Sequence, residues 1–157
     1  MKKITYVGLL AALTYICTTY IQIPLPNKGY VNAGSIVIVV TACLFGPLSG
    51  AIAGVIGSVI ADLFVAPIWI PATIVVKFCL GFFVGVGVKR REFAMPLYIV
   101  TGFIVVGGYY IAEAVIYGNW VAPVFTSVPA LMLEYVLSLV IGLFISKKLD
   151  KHKAALL

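Results

Sequence analysis

The stretch GSVIADLFVAPIWIPATIVVKF, residues 57 to 78, is almost wholly apolar, yet it contains one aspartate, Asp62, and one lysine, Lys77. A proline-containing segment, VAPIW at 65–69, lies between the two charges. This pattern predicts the end of one membrane helix, a tight outer turn and the start of the next helix. Because the turn brings Asp62 and Lys77 to similar depths, we expect both charges to face a shared polar interior.

The composition indicates an integral membrane protein embedded in a lipid bilayer. Of 157 residues, 63% are hydrophobic and 10% are charged, whereas soluble domains contain roughly 25% charged residues. The net charge of +6 arises from short basic clusters between apolar spans, a pattern typical of topology signals. Nucleic acid is therefore not expected as a partner, and residues 1–157 are predicted to form a single membrane domain.

The apolar segments predict membrane-spanning helices of about 20 residues each. Clear spans cover 4–23, 71–88, 96–117 and 123–146, and the first is predicted to be retained because no signal-peptide cleavage site follows it. Residues 32–64 are too long for one span, and a Gly-Pro pair at 46–47 predicts a turn between two short helices.

The basic clusters decide between five and six helices. With six, nine of the eleven basic residues lie on one side of the membrane, which the positive-inside rule assigns to the cytoplasm. The clusters are Lys2 and Lys3; Lys89, Arg90 and Arg91; and Lys147, Lys148, Lys151 and Lys153. We therefore predict an all-α bundle of six transmembrane helices with both termini cytoplasmic.

Four ionisable residues, Asp62, Lys77, Glu113 and Glu134, fall inside predicted spans. A charge at the bilayer centre costs about 2.5–3.5 kcal/mol on insertion scales, so these side chains are expected to face inward. Counting from the predicted outer loops places all four in the outer half of the membrane. The pattern leaves open an internal ion pair between Asp62 and Lys77, and the excess of carboxylates favours a neutral or cationic ligand.

Small residues recur at four-residue spacing on three predicted helices, which lets helices pack closely in a membrane. These residues are Gly8 and Ala12; Gly46, Gly50, Gly54 and Ser58; and Gly81 and Gly85. The spacing is compatible both with packing inside the chain and with an outward face for a membrane partner.

Enzymatic activity is not expected from this sequence. The single histidine, His152, lies in the predicted cytoplasmic tail, and Cys17, Cys43 and Cys79 have no metal-binding spacing. We predict no catalytic residue, no metal and no cofactor. A Walker A motif is also missing, so energy for active uptake must come from a gradient or from other subunits.

Residues 29–85 resemble the substrate-binding S components of energy-coupling factor (ECF) transporters, particularly the riboflavin, hydroxymethylpyrimidine and pyridoxine group. The resemblance rests on Asn32 and Gly34, on LFGPLSGAIAGVIGSVIADL with Asp62 near its end, and on PATIVVK with Lys77 at its end. One departure is Ser35, where many relatives carry an aspartate.

The resemblance implies a multi-pass protein of a prokaryotic cell membrane that binds a vitamin or related heteroaromatic micronutrient in an outward-side cavity. The loop between the first two helices would close this cavity. The subunit would deliver its ligand by toppling on a transmembrane coupling subunit driven by two ATPase subunits, and docking would use Gly8 and Ala12.

Nine residues are candidates for substrate binding. Asn32 would lie near the lid, and the charged candidates would bind through hydrogen bonds and charge pairing. The complete set is Asn32, Asp62, Trp69, Lys77, Tyr109, Glu113, Tyr117, Trp120 and Glu134. The aromatic members would supply stacking surfaces, although tryptophans near predicted loops also suit the aromatic belt at the lipid interface. The alternative function is a self-contained proton-coupled carrier or channel for a small solute.

Overall fold

The computed structural model describes residues 2–25 and 29–150. Residues 1, 26–28 and 151–157 lie outside this description, and with them Lys28, His152 and the end of the C-terminal basic cluster. Within the described residues the chain forms seven α-helices and one antiparallel hairpin. These elements are α1 (Lys2–Tyr20), β1 (Gln22–Pro24), β2 (Tyr30–Asn32), α2 (Gly34–Phe45), α3 (Pro47–Val65), α4 (Ile70–Lys89), α5 (Ala94–Tyr117), α6 (Ala122–Thr126) and α7 (Val128–Asp150).

Four helical segments among the described residues are long and apolar enough to cross a membrane. They are Pro47–Val65, Pro67–Lys89, Arg91–Tyr117 and Val128–Leu149. The 12-residue helix α2 is apolar but shorter; at 1.5 Å per residue it extends about 18 Å, against about 30 Å for a bilayer core. The chain is therefore a mainly α-helical membrane protein.

Helix α2 is the central element of the bundle. It packs against α1, α3, α4 and α7, and nearly all its side chains are buried. A helix that is apolar on every side suits such an interior position. Its residues Ile38, Val39 and Ala42 form a core cluster with Val76 and Leu80 of α4.

The predicted turn at 46–47 is confirmed. Helix α2 ends at Phe45, and Gly46 has a φ of 97°, a left-handed conformation that glycine adopts without a Cβ clash. Pro47 begins α3, at a position where the amide proton it lacks would have no helical partner.

Two predicted spans have different boundaries in the structure. The first helix ends at Tyr20, not at residue 23, because Gln22–Pro24 pairs with Tyr30–Asn32 as a hairpin. The last predicted span, 123–146, is divided at Ser127 into α6 and α7. Pro129, the second residue of α7, has no amide N–H to donate to the carbonyl oxygen of Phe125, so a single continuous helix would lose a hydrogen bond at this point.

The small-residue ladders of α3 and α4 pack inside the chain. A Cβ added at Gly50 would lie 2.5 Å from the Cβ of Ala42, and one at Gly85 would lie 2.5 Å from the Cα of Pro47. A Cβ at Gly81 would collide with the backbone of α3 at Gly50. These glycines therefore allow the close approach of α2, α3 and α4.

Candidate functional site

A polar cavity lies beneath the hairpin, between the ends of five helices. Its volume is about 30 Å³, which is room for roughly two water molecules. The lining residues are Thr18, Leu25, Gly29, Tyr30, Asn32, Ser58, Asp62, Trp69, Thr73, Lys77, Tyr109, Glu113, Leu131 and Glu134. A ligand larger than this can enter only if the hairpin or the lining side chains move.

Lys77 is the centre of a buried hydrogen-bond network that joins three helices. Its Nζ donates to Ser35 Oγ on α2 at 2.7 Å and lies 3.5 Å from Glu134 Oε1 on α7. Ser35 Oγ donates to the same glutamate oxygen at 2.7 Å. Because removal of one partner of a buried ion pair leaves an uncompensated charge, these groups depend on one another.

Asp62 belongs to a second polar contact, between α3 and the hairpin. The carboxylate is buried, and its Oδ1 accepts a hydrogen bond from the Tyr30 hydroxyl. Burial and then the adjacent Asp62 carboxylate raise the pKa of Tyr30 above its ordinary value. Tyr30 therefore remains a protonated donor that connects the hairpin to the cavity wall.

The sequence left open an internal ion pair between Asp62 and Lys77, and the structure pairs Lys77 with a different carboxylate. Among the described residues, Lys77 makes its salt bridge with Glu134, and not with Asp62. The reason is that α7 places Glu134 beside Lys77, while the hairpin places Tyr30 on Asp62.

Aromatic side chains form one wall of the cavity. The rings of Trp69 and Tyr109 meet edge to face, with centroids 6.2 Å apart and planes at 67°. The Tyr109 hydroxyl lies 3.2 Å from Thr73 Oγ1, and Lys77 Nζ lies 5.7 Å from the Tyr109 ring centroid. This wall offers both a flat apolar surface and polar groups at its edge.

Asn32 stabilises the junction between the hairpin and α2. Its Oδ1 accepts hydrogen bonds from Gly34 N at 2.9 Å and from Thr18 Oγ1 at 3.3 Å. The side-chain oxygen thus holds the start of α2 against α1, and its contacts in this structure position the hairpin.

The structure brings seven of the nine predicted binding residues to this cavity, including Glu113, which is buried on α5. Tyr117 and Trp120 lie elsewhere, with exposed fractions of 45% and 55%. Tyr117 is the last residue of α5, and Trp120 follows it and packs against Tyr110, with ring centroids 6.2 Å apart. The sequence does not show where α5 ends relative to the cavity, and a binding role for these two residues stays a prediction.

Five polar residues of the site were not among the predicted binding residues: Thr18, Tyr30, Ser35, Ser58 and Thr73. Ser35 stood out only as a departure from the family pattern, and Ser58 only as a member of the small-residue spacing on α3. Thr73 lies in the family-like segment PATIVVK, four residues before Lys77. Tyr30 lies two residues before Asn32 in the segment GYVN. Its place in the family-like block was the one feature of the sequence that could have indicated a role in the site.

The predicted docking residues Gly8 and Ala12 lie on an exposed face of α1. A Cβ added at Gly8 would have no other atom within 4 Å. The side of α1 that contains Ala11 and Thr14 is packed: a Cβ at Gly57 of α3 would lie 2.5 Å from the Ala11 carbonyl oxygen and 2.6 Å from the Thr14 Cβ.

Comparison with known proteins identifies the family. The model of the family described as "ECF-type riboflavin transporter, S component" matches residues 1–151. A relative from Pyrococcus woesei, described as "Uncharacterized protein in gap 3'region", is 36% identical over 107 residues, which cover 66% of this chain and 72% of the relative.

The matched family consists of substrate-binding transport subunits of the membrane and not of enzymes. Its match extends over nearly the whole chain, including the hairpin and every helix that lines the cavity. The chain therefore belongs to the family of S components of ECF-type riboflavin transporters.

Proposed function

We propose that this chain captures a vitamin or related heteroaromatic micronutrient from outside the cell and delivers it to an ECF module. The observation that carries this proposal is the cavity itself. It combines the Lys77–Ser35–Glu134 network, the Asp62 carboxylate and the Trp69–Tyr109 wall beneath a short hairpin. Ligand sites commonly join apolar walls to a few convergent polar groups in this way.

The proposed topology has six membrane-associated helices, both termini in the cytoplasm and the cavity facing outward. Its support comes from the opposite end of the bundle. A cavity there is lined by Lys3 of α1, by Gly46 between α2 and α3, and by Lys89 of α4. The first two basic clusters therefore lie at the same end of the bundle. Basic residues favour the cytoplasmic side of a membrane.

The ligand class follows from the family and from the chemistry of the wall. Riboflavin, which the family description names, is the first candidate. A planar ring can lie against Trp69 and Tyr109, while Lys77, Asp62, Glu113 and Glu134 supply hydrogen-bonding groups around it. Tyr30 and Asn32 would hold the hairpin closed over the bound ligand.

Delivery would require a transmembrane coupling subunit and two ATPase subunits. The exposed Gly8 and Ala12 provide a flat surface on α1 against which another membrane helix can pack. Toppling on that subunit would carry the cavity from the outer to the inner side.

The proposal is tested by binding and by transport. Purified protein is incubated separately with riboflavin, thiamine, pyridoxine and hydroxymethylpyrimidine, and the melting temperature is measured with each compound. Compounds that raise the melting temperature are then titrated by calorimetry. We expect saturable binding of one compound with 1:1 stoichiometry. Uptake into vesicles should then require ATP and the coupling module.

The rival function is a self-contained proton-coupled carrier, which the buried carboxylates of Asp62 and Glu113 would suit. Uptake by this chain alone, driven by a proton gradient without ATP, would establish the carrier and contradict the proposed capture subunit.

A further inference from the structure

Three polar atoms on one side of the cavity have no hydrogen-bond partner among the described residues. They are Ser58 Oγ, Asp62 Oδ2 and Trp69 Nε1. The three residues are almost completely buried, with exposed fractions of 1%, 2% and 5%. Since buried polar groups in folded proteins are nearly always paired, three such atoms lining one cavity require an explanation.

The position of these residues makes them one surface. Ser58 and Asp62 are four residues apart on α3, so their side chains occupy the same helix face. Trp69 follows α3 after the turn and lines the same cavity. We call Ser58, Asp62 and Trp69 the recognition wall.

The chemistry of the recognition wall is asymmetric. Asp62 already accepts a hydrogen bond at Oδ1 from Tyr30 and has a second acceptor at Oδ2. The indole of Trp69 is only a donor, whereas the hydroxyl of Ser58 can donate or accept. The matching ligand edge therefore presents a hydrogen-bond donor to Asp62 and an acceptor to Trp69.

We propose that the recognition wall selects heteroaromatic ligands whose ring edge carries an N–H donor beside a carbonyl or ring-nitrogen acceptor. This inference rests on the proposed function and identifies the part of the ligand that the site recognises through hydrogen bonds. It also makes Asp62 a shared group, with one oxygen for the lid and the other for the ligand.

Helix α3 supplies a matched control for the wall. Ser49 is also buried on α3, but its Oγ donates to the Phe45 carbonyl at 3.1 Å, and it does not line the cavity. Ser49 and Ser58 thus differ mainly in whether the hydroxyl is satisfied within the chain.

The first test needs no ligand. Replacing an unsatisfied buried hydroxyl by hydrogen removes a desolvated polar group without breaking a bond, whereas replacing a satisfied one loses a hydrogen bond. In the ligand-free protein, S58A should leave the melting temperature unchanged or raise it by a few degrees, and S49A should lower it. If S58A lowers the melting temperature as much as S49A does, the proposal of a recognition wall is wrong.

The second test measures selectivity with riboflavin and its N3-methyl derivative, which lacks the ring N–H. Wild-type protein should bind riboflavin at least tenfold more tightly than the methylated compound. In D62N this ratio should fall to about one. In Y30F, which alters only the lid contact of Asp62, both affinities should fall but the ratio should persist.

The outcomes separate this inference from the proposed function. If riboflavin and the N3-methyl derivative bind wild type equally well, the recognition wall is wrong while the capture function stands. If none of the vitamins tested above binds, the capture function fails, and this inference fails with it.

Discussion

The two ends of α3 differ in how their small and polar residues are used. Near Pro47, a Cβ at Gly50 would meet Ala42, and the Ser49 hydroxyl donates to a backbone carbonyl. At the other end of the helix, which finishes at Val65, two buried oxygens beside the cavity have no hydrogen-bond partner among the described residues. They belong to Ser58 and Asp62. One end of the helix is thus optimised for close packing, while the other retains polar groups for a function that costs stability.

The largest expected effect comes from breaking the charge network at the cavity end. K77M leaves Glu134 as an uncompensated buried carboxylate, which should lower the free energy of unfolding by about 3–5 kcal/mol. The measurement is thermal unfolding in detergent, together with vitamin titration, in which binding should be lost.

The double variant K77M/E134Q provides the control for this prediction. It removes both charges, so most of the stability should return while binding remains absent. If K77M alone is as stable as wild type, Glu134 is neutralised by another group and the network described here is not the one that holds the cavity.

A smaller loss is expected from disturbing the packed end. A Cβ at Gly81 would collide with the α3 backbone, including Gly50 O at 2.6 Å. G81A should therefore lower the free energy of unfolding by about 1–3 kcal/mol, the usual range for overpacking. Thermal unfolding measures this change.

Gly107 on α5 is the matched control, because a Cβ there would have nothing within 4 Å. G107A should be neutral or stabilise the protein by about 0.5–1 kcal/mol through the better helix propensity of alanine. Equal stability of G81A and G107A would contradict the account of the α3–α4 contact.

The sequence predicted the features that depend on local pattern. The break at Gly46–Pro47 was readable because glycine adopts backbone conformations that other residues avoid, whereas proline cannot continue a preceding helix. The inward position of Asp62 and Lys77 was readable because the bilayer penalises a charge facing lipid.

Features that depend on distant contacts were not predictable in this way. The hairpin after Tyr20 is held by backbone pairing between Gln22 and Asn32, which side-chain hydropathy does not encode. Ser35 and Glu134 are 99 positions apart in the chain, and a serine within an apolar helix has no signature that names its partner.

The smallest effect on stability is expected on the open face of α1. G8W places a large ring where a Cβ would contact nothing within 4 Å, so the free energy of unfolding should change by less than about 0.5 kcal/mol. Vitamin binding should stay within twofold of wild type, whereas ATP-dependent uptake with the coupling module should fall at least tenfold.

The control for the α1 face is V140W, on an exposed position of α7. It should preserve both binding and uptake. Equal loss of uptake in G8W and V140W would show that bulk anywhere on the membrane surface is harmful, and would remove the case for docking at Gly8.

The most direct measurement of the central claim is mass spectrometry of the small molecules that copurify with the protein. Wild type and K77M/E134Q are purified in parallel from the same cells. We expect about one heteroaromatic micronutrient per wild-type chain and none on the double variant. Equal amounts of the same compound on both proteins, or a wild type that no vitamin saturates, would contradict a capture site built on Lys77 and Glu134.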